Sequence, residues 1–526
     1  MKYLYLTLFT ALFASPAGFA QSMGLDILLT PAQVIGDSLQ GERDGLWILL
    51  NAKGDTLQRG YYEASIPDST WMSYDPLAGE VTQSFYQNGL LQGPFILKDT
   101  LGNVLMKGGY EQGEEQGIWM EYYPSGKVRT QGKFVAGQKE GQWLVFHENG
   151  SVAVESNYQR GKLSGRFQEF NEYRITLLDA YYHDNLPDST WREFNEFGDL
   201  IIHGQYQRGE RIGVWKSYHD NGNQFTREEY YQGKRHGIWW YFSDDRLVTK
   251  KETYANGVLH GESVYFQDGE KPVRVETYDQ GKLHGRYREF SSQGVATTEG
   301  QYTYGGREGE WKVYHPNGVL SATGYYHLDQ ADSAWEFFSD QGVTISKGDY
   351  RLSLEHGQWF SFFPDGSIAS IGSYSYGDKD GLWGYFYPNG TLMREERWQK
   401  GRLISIEKSL DAEGNSVNMG TLEEGTGTVF LYHTNGELAE SMQFTGGWLD
   451  GPYKSYHRNG RLESEGQYVL GEPHGDWTEY YDNRQLKSKG SYNLGEKTGY
   501  WREFDSRGNL TLFQQYEDGE LKTAVE

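Results

Sequence analysis

Residues 110–126 read "YEQGEEQGIWMEYYPSG". A Trp stands near the middle, with Gly two residues before it and an aromatic residue three after. The phrase Gly-x-Trp returns as "GLW" at 45–47, "GQW" at 141–143, "GVW" at 213–215 and "GEW" at 309–311. With the Trp as position zero, anchors fall at residue 47 and every 24 residues to 383, fifteen in all without an insertion. They resume at 429, 453, 477 and 501. The step of 46 between 383 and 429 leaves room for one shortened repeat, giving about 20. A fixed period of this size marks a repeat architecture, in which each unit buries its apolar residues against the next.

Other columns are as regular. Position +15 is aromatic in all 19 clear repeats and position +3 in 17 of them; Gly recurs at −2, +7 and +18. Two turn signals divide each repeat. One is Asn-Gly near +6/+7, as at Asn149-Gly150, Asn317-Gly318 and Asn459-Gly460; this is a strong hairpin signal because both residues tolerate positive φ. The other is the Gly-x-x-x-Gly between +18 and the next −2. Two short strands and two turns fit into 24 residues, and helical spacing is absent. Positions 0 and +3 differ in parity, so their side chains should take opposite faces unless a bulge intervenes.

The pattern Y-x-x-G-x-x-x-G-x-W-x-x-Y-x-x-x-G, also clear in "YVLGEPHGDWTEYYDNR" at 468–484, resembles the MORN repeat in its bacterial variant form. The resemblance covers about residues 38–520 and implies an elongated, twisted antiparallel sheet. The expected fold is therefore all-β: an elongated repeat protein of about 20 tandem 24-residue β-hairpins in a twisted single-layer antiparallel sheet. Composition agrees. The chain has 68 Gly, 41 Tyr, 25 Phe and 16 Trp, yet only 37% hydrophobic residues. A thin sheet leaves no room for a thick aliphatic core, and flat rings over glycines can replace one.

"MKYLYLTLFTALFASPAGFA" at 1–20 has the form of a signal peptide, which predicts an exported protein, periplasmic or extracellular. Residues 21–44 read as a cap or half repeat, 45–398 as repeats, 399–426 as a degenerate repeat or irregular loop, and 427–526 as repeats again. No later run is long and apolar enough to be an integral membrane segment. The formal charge of −24 argues against nucleic acid and anionic lipid as partners. The absence of Cys removes disulfides and thiolate metal sites.

Candidate chemistry dissolves into the columns. Five His lie at −3 (His236, His260, His284, His356, His474) and five at +4 (His147, His219, His315, His433, His457). Equivalent positions one repeat apart lie roughly 10 Å from each other, too far for ligands of one metal. Glu121, Glu169, Glu193, Glu289, Glu479 and Glu503 share position +2, so no carboxylate pair stands apart. "PDST" before Trp71 and Trp191, and "ADSA" before Trp335, replace both turn glycines; the substitution predicts a different turn type, not a nucleophile. No catalytic, metal or cofactor residues are expected. Trp240 and Trp448 fall outside the aromatic columns and are the candidate ligand-binding residues. The expected function is a non-catalytic exported scaffold for protein partners. The resemblance adds an antitoxin-like role, and the acidic surface would suit a basic partner. The alternative is binding of cell-wall polysaccharide or other carbohydrate through aromatic rows.

Overall fold

The computed structural model describes residues 33–51, 54–75, 78–517 and 519–525. The expected signal peptide, 1–20, lies outside them. Every regular element among the described residues is a β-strand. The chain divides into two units, one ending at Val258 and one beginning at Leu259. Within each, strands of mostly eight or nine residues pair antiparallel with their chain neighbours. Glu114–Tyr122, Val128–Val135 and Gln138–Phe146 form one such run. The second unit also contains a nine-stranded sheet running from Gly427 to Val525.

The Gly-x-Trp phrase is a bulge. Gln131 pairs with Leu144 and Lys133 with Glu140, so Gly141, Gln142 and Trp143 together oppose Gly132 alone. Gly141 takes φ of 69°, the left-handed region in which glycine carries no Cβ penalty. The bulge turns Trp143 back over Gly132. A Cβ on Gly132 would lie 2.0 Å from the indole, closer than any real contact. The indole N–H then donates to the Lys133 carbonyl at 3.2 Å.

This arrangement recurs down the chain. Eleven of the 13 anchor Trp have Gly eleven residues earlier, and a Cβ there would fall 2.0–2.5 Å from the ring. Among the exceptions, Ala180 precedes Trp191, whose indole donates to Glu193 Oε1 at 2.9 Å and not to backbone. Where the anchor is not Trp, the glycine is gone. Ser84 precedes Phe95, Ser156 precedes Phe167, and Glu252 and Glu276 precede Ser263 and Tyr287. Even the first described strand, Gln33–Leu39, lays Gly36 under Trp47.

The +15 aromatic fits edge-on between successive anchors. Tyr62 lies 5.8 Å from Trp47 and 5.0 Å from Trp71; Phe134 lies 5.9 Å from Trp119 and 5.0 Å from Trp143. Such edge-to-face pairs contribute about 0.5–1.5 kcal/mol each beyond area burial. A cation at −4 often closes the notch: Arg211 lies 4.2 Å from the Trp215 ring and 5.4 Å from Tyr230, and Lys497 repeats this over Trp501 and Tyr516. The +3 aromatics take the other face, where Tyr218 stacks on His203. A bulge does intervene, but the extra residue sits in the facing strand. Ser217 pairs with Thr226 and Tyr218 with Gln224, leaving Phe225 over, so the alternation of Trp215 and Tyr218 survives.

The Asn-Gly turns differ from expectation. Gly150 takes φ of 93°, whereas Asn149 is not left-handed. The Asn side chain has a different task. Its Oδ1 accepts from Ser151 N at 2.8 Å, and its Nδ2 donates to the Glu172 carbonyl in the next turn at 3.0 Å. Asn221, Asn317, Asn389 and Asn435 make the same inter-repeat bond.

Two tests follow from the ladder. Gly132→Ser should destabilise the protein by about 1–3 kcal/mol through overpacking, read as a lowered denaturant midpoint. The cost should shrink in a Trp143→Phe background, which restores the Ser/Phe pairing found at Ser84/Phe95 and Ser156/Phe167; equal costs in both backgrounds would contradict the contact. The second test is alkaline. Burial raises the hydroxyl pKa of Tyr86, Tyr110 and Tyr158, and that of Tyr182 to about 12. The unfolded chain ionises these groups near pH 10 while the fold holds them neutral. Stability should therefore be level below about pH 10 and fall as pH rises further, with tyrosinate absorbance appearing together with loss of structure.

Candidate interaction faces

The ladder face offers few free rings. Ten of the 13 anchor indoles are only 1–9% exposed, so the Trp column is occupied by its own packing. Where the anchor is missing, carboxylates turn inward. Glu252 is buried and accepts from the Tyr241 and Tyr254 hydroxyls at 2.9 Å each, with Lys250 beside it. Burial opposes its ionisation, but these donors outweigh it and hold the carboxyl below the usual range. Glu276 does the same with Tyr278 and Arg274. These are satisfied structural charges.

Trp239 and Trp240 lie on opposite faces. Trp239 is 3% exposed in the ladder, between Tyr230 and Tyr254. Trp240 is half-buried on the other face and pairs across the sheet with Arg227 on one side and Lys251 on the other. Trp448 is 41% exposed at the start of Trp448–Tyr456, with Arg402 5.7 Å from its ring. The two candidates belong to different units.

The His columns have structural partners. At +4, Nε2 of His147, His219, His315 and His457 lies 2.9–3.0 Å from a backbone carbonyl one repeat on. Tyr123, Tyr387 and Tyr481 make the equivalent bond through their hydroxyls. At −3, His284 and His474 accept from the backbone N–H of Tyr304 and Leu494 in the opposite turn. Among the described residues, no group of three or more His, Asp or Glu could hold a metal ion. At +2, Glu169 is pushed up by burial and by the charge of Glu193.

The Pro-Asp-Ser turns correct the expectation of a changed turn type. Ser69, Ser189 and Ser333 hold φ of 57–68° at the −2 bulge position, and Ser65, Asn185 and Asp329 hold 66–69° at +18. The backbone is the one glycine adopts elsewhere. Neighbouring Asp side chains steady it: Asp68 and Asp332 each accept from the next serine hydroxyl at 3.0 Å, and Asp188 accepts from Ser189 N.

Residues 399–428 contain the strand Arg402–Ser409 and isolated bridges at Leu410–Ser416, Gly420–Val429 and Glu423–Thr426. Here the second unit buries a mainly aliphatic cluster: Leu403, Ile406, Val429 and Met442 pack with Phe444. Gly425 N–H donates to the Ile404 carbonyl, and Gly447 N–H to that of Gly425.

A further feature escapes column reading. At +17 the backbone is left-handed in nearly every repeat. In the first unit the residues there are Ala64, Asn88, Gln112, Ala136, Arg160, Asp184, Arg208, Gln232 and Asn256. In the second unit four consecutive repeats carry Tyr304, Leu328, Leu352 and Tyr376, which are 46–76% exposed. The signal in the sequence is a change of residue class within a variable position, not an invariant column.

If the serines only substitute for glycine, Ser69→Gly, Ser189→Gly and Ser333→Gly should each leave the fold intact. Each should raise stability by roughly 0.5–1 kcal/mol, since an L-residue in this region carries a Cβ penalty. Chemical denaturation checks the sign; a lowered midpoint would mean that the Asp–Ser bonds outweigh the backbone strain.

A family model described as the MORN repeat variant matches residues 115–136, 139–160, 307–327, 355–376, 379–400, 449–469 and 473–494. Each match opens at −4, where the notch cation often sits, and runs through the anchor strand and the one after it. No curated protein matches the chain. Among solved structures, chains in the crystal structure of TcdB2-TccC3-Cdc42 align over 90% of this chain and 30% of their own length, at 9% identity and a TM-score of 0.12. A chain of the Tc holotoxin pore of Photorhabdus luminescens aligns with the same coverage at 10% identity and a TM-score of 0.12. This chain thus spans under a third of the length of these solved chains.

Proposed function

Because the chain is a MORN repeat protein, built on the variant form of that repeat, we propose that it is a non-catalytic, exported scaffold that binds another protein. The observation that carries this reading is the row Tyr304, Leu328, Leu352 and Tyr376. A bulky side chain in the left-handed region is strained, and these hold φ of 49–53°. Leu328 and Leu352 are 76% and 61% exposed, so burial does not offset that strain. Two strands separate successive tips, so the four span roughly 30 Å along one edge of the second unit. Exposed apolar residues in such a row are what a protein interface buries.

Export rests on residues 1–20. An antitoxin or immunity role is the narrower form of the reading. It is supported by the resemblance to bacterial variant-MORN proteins and by the net charge of −24, which favours encounter with a basic partner. Non-catalytic action is supported by the way the His, Glu and Ser candidates are engaged in turns and strand pairing.

The test is the double substitution Leu328→Asn and Leu352→Asn, since Asn tolerates this backbone region well. The variant should be at least as stable as the parent. In affinity purification from the native envelope it should lose a protein that the parent retains. Retention of the same proteins by both would refute the edge as the interface.

A further inference from the structure

The face opposite the ladder carries one row formed by positions +1 and +12, each paired directly with the next across the sheet. Over most of its length this row mixes charges and apolar residues. In the first unit it runs Lys107, Met120, Gln131, Leu144, Glu155, Gln168 and Asp179. In the second, Arg288 pairs with Glu299, which is followed by Lys312, Thr323 and Glu336. Several cations there have acids beside them: Arg288 reaches Glu299 at 2.9 Å and Lys312 reaches Glu310 at 3.0 Å. Lys107, between Ile96 and Met120, and Lys489, beside Arg502, do not.

One stretch gathers more cations than any other part of the row. Beyond Asp179 the row reads Arg192, His203, Lys216, Arg227, Trp240 and Lys251, in register and without an acid. Arg192 shares Asp179 with Arg166, at 3.6 and 2.8 Å, which closes that end. No ion pair is formed by Lys216, Arg227 or Lys251 among the described residues. Glu229, paired with Val214, is the acid in the flanking row. All six side chains except that of Arg192 are half-buried, so their charged ends stand over a sheet and not free in solvent. The His203 ring is held below its usual pKa by burial and by Lys216 and Arg192, an independent sign of local positive potential. Beside the row, Phe242 and Arg246 line a shallow concavity of ≈ 370 Å³ with Gly222, Asn223 and Gln224.

In a chain of net charge −24, cations stacked without counter-charges repel one another and are not there to hold the sheet. We propose that this row is a binding site for a linear anionic polysaccharide, one bearing a carboxylate on each sugar, laid across the strands from His203 to Lys251. Strand spacing sets neighbouring residues of the file about 4.8 Å apart, with Lys216 and Arg227 on adjacent strands and Lys251 two strands beyond Arg227. A uronate chain offers one carboxylate per ring on a comparable repeat. Duplex DNA offers a charge per ~1.7 Å of axis and binds in depth, not on a flat file. Single-strand binders use aromatic platforms for successive bases, whereas this file holds the single aromatic Trp240. Its ring suits the C–H face of one sugar, with Lys251 and Arg227 on either side for the carboxylates. This site lies in the first unit and is independent of the protein-binding edge in the second.

The test uses the full chain and polygalacturonate, with methyl-esterified polygalacturonate as the neutral control. The acidic polymer should be retained and the esterified one not, and binding should weaken steeply with added salt. Lys216→Gln with Arg227→Gln should weaken binding roughly tenfold at an unchanged denaturation midpoint, and Trp240→Ala should weaken it as well. Neutralising Lys312 and Lys347, in the same row of the second unit, should leave it unchanged. Equal binding of the esterified polymer, an unaffected Lys216/Arg227 variant, or stronger binding to single-stranded DNA or phosphatidylglycerol vesicles would each overturn the assignment. Loss of partner capture in the Leu328/Leu352 variant would not move any of these readings.

Discussion

An indole laid on backbone that lacks a Cβ is the contact on which the rest of this protein depends. A single-layer sheet has no second layer to pack against, so apolar area must be buried within one face. Trp143 over Gly132 solves this locally, with the ring covering the neighbouring strand and its N–H satisfied by that strand's carbonyl. The bulge that aims the ring requires a left-handed residue at −2, which is why Gly-x-Trp is the visible signature. Tyr or Phe at +15 fills the space between rings and links one anchor to the next. The 24-residue period is the distance at which this contact reproduces itself.

Most exceptions obey the same constraint, although Trp239, preceded by Glu228, still donates its indole N–H to the Glu229 carbonyl at 3.0 Å. Ala180 carries a Cβ, and the Trp191 indole bonds a carboxylate in place of backbone. With Ser263 and Tyr287 at the anchor, the residues facing them are Glu252 and Glu276, which turn into the ladder and take hydrogen bonds from its tyrosines. Near residue 403 the contact lapses, and Leu403, Ile406, Val429 and Met442 pack with Phe444 as a mainly aliphatic cluster in its place. Because the ladder consumes one face, variation is free only on the opposite face and at the loop tips. The cation row and the exposed Leu328 and Leu352 are found at those two places.

Much of this was legible in the residues. The period, the strand-turn division and the opposite faces of positions 0 and +3 follow from alternation and spacing, and the MORN resemblance rests on those columns. The glycine eleven residues before 11 of the 13 anchor Trp was equally present in the sequence, but its role appears only when the anchor columns are compared pairwise. The Asn-Gly turns misled because the same dipeptide serves two turn types, and only the backbone tells which. The Pro-Asp-Ser turns misled because losing glycine does not require losing its conformation when an Asp side chain can steady it.

By itself, then, the sequence determined that the protein is all-β, made of hairpins on a 24-residue step, with rings in place of an aliphatic core. Those properties depend on local periodicity, which is written along the chain. The tertiary structure alone decided which rings are spent on packing, and that Arg192, His203, Lys216, Arg227, Trp240 and Lys251 stand in one file. Their separations in sequence alternate between 11 and 13 residues, and only antiparallel pairing with its bulges brings residues so spaced to adjacent strands on one face.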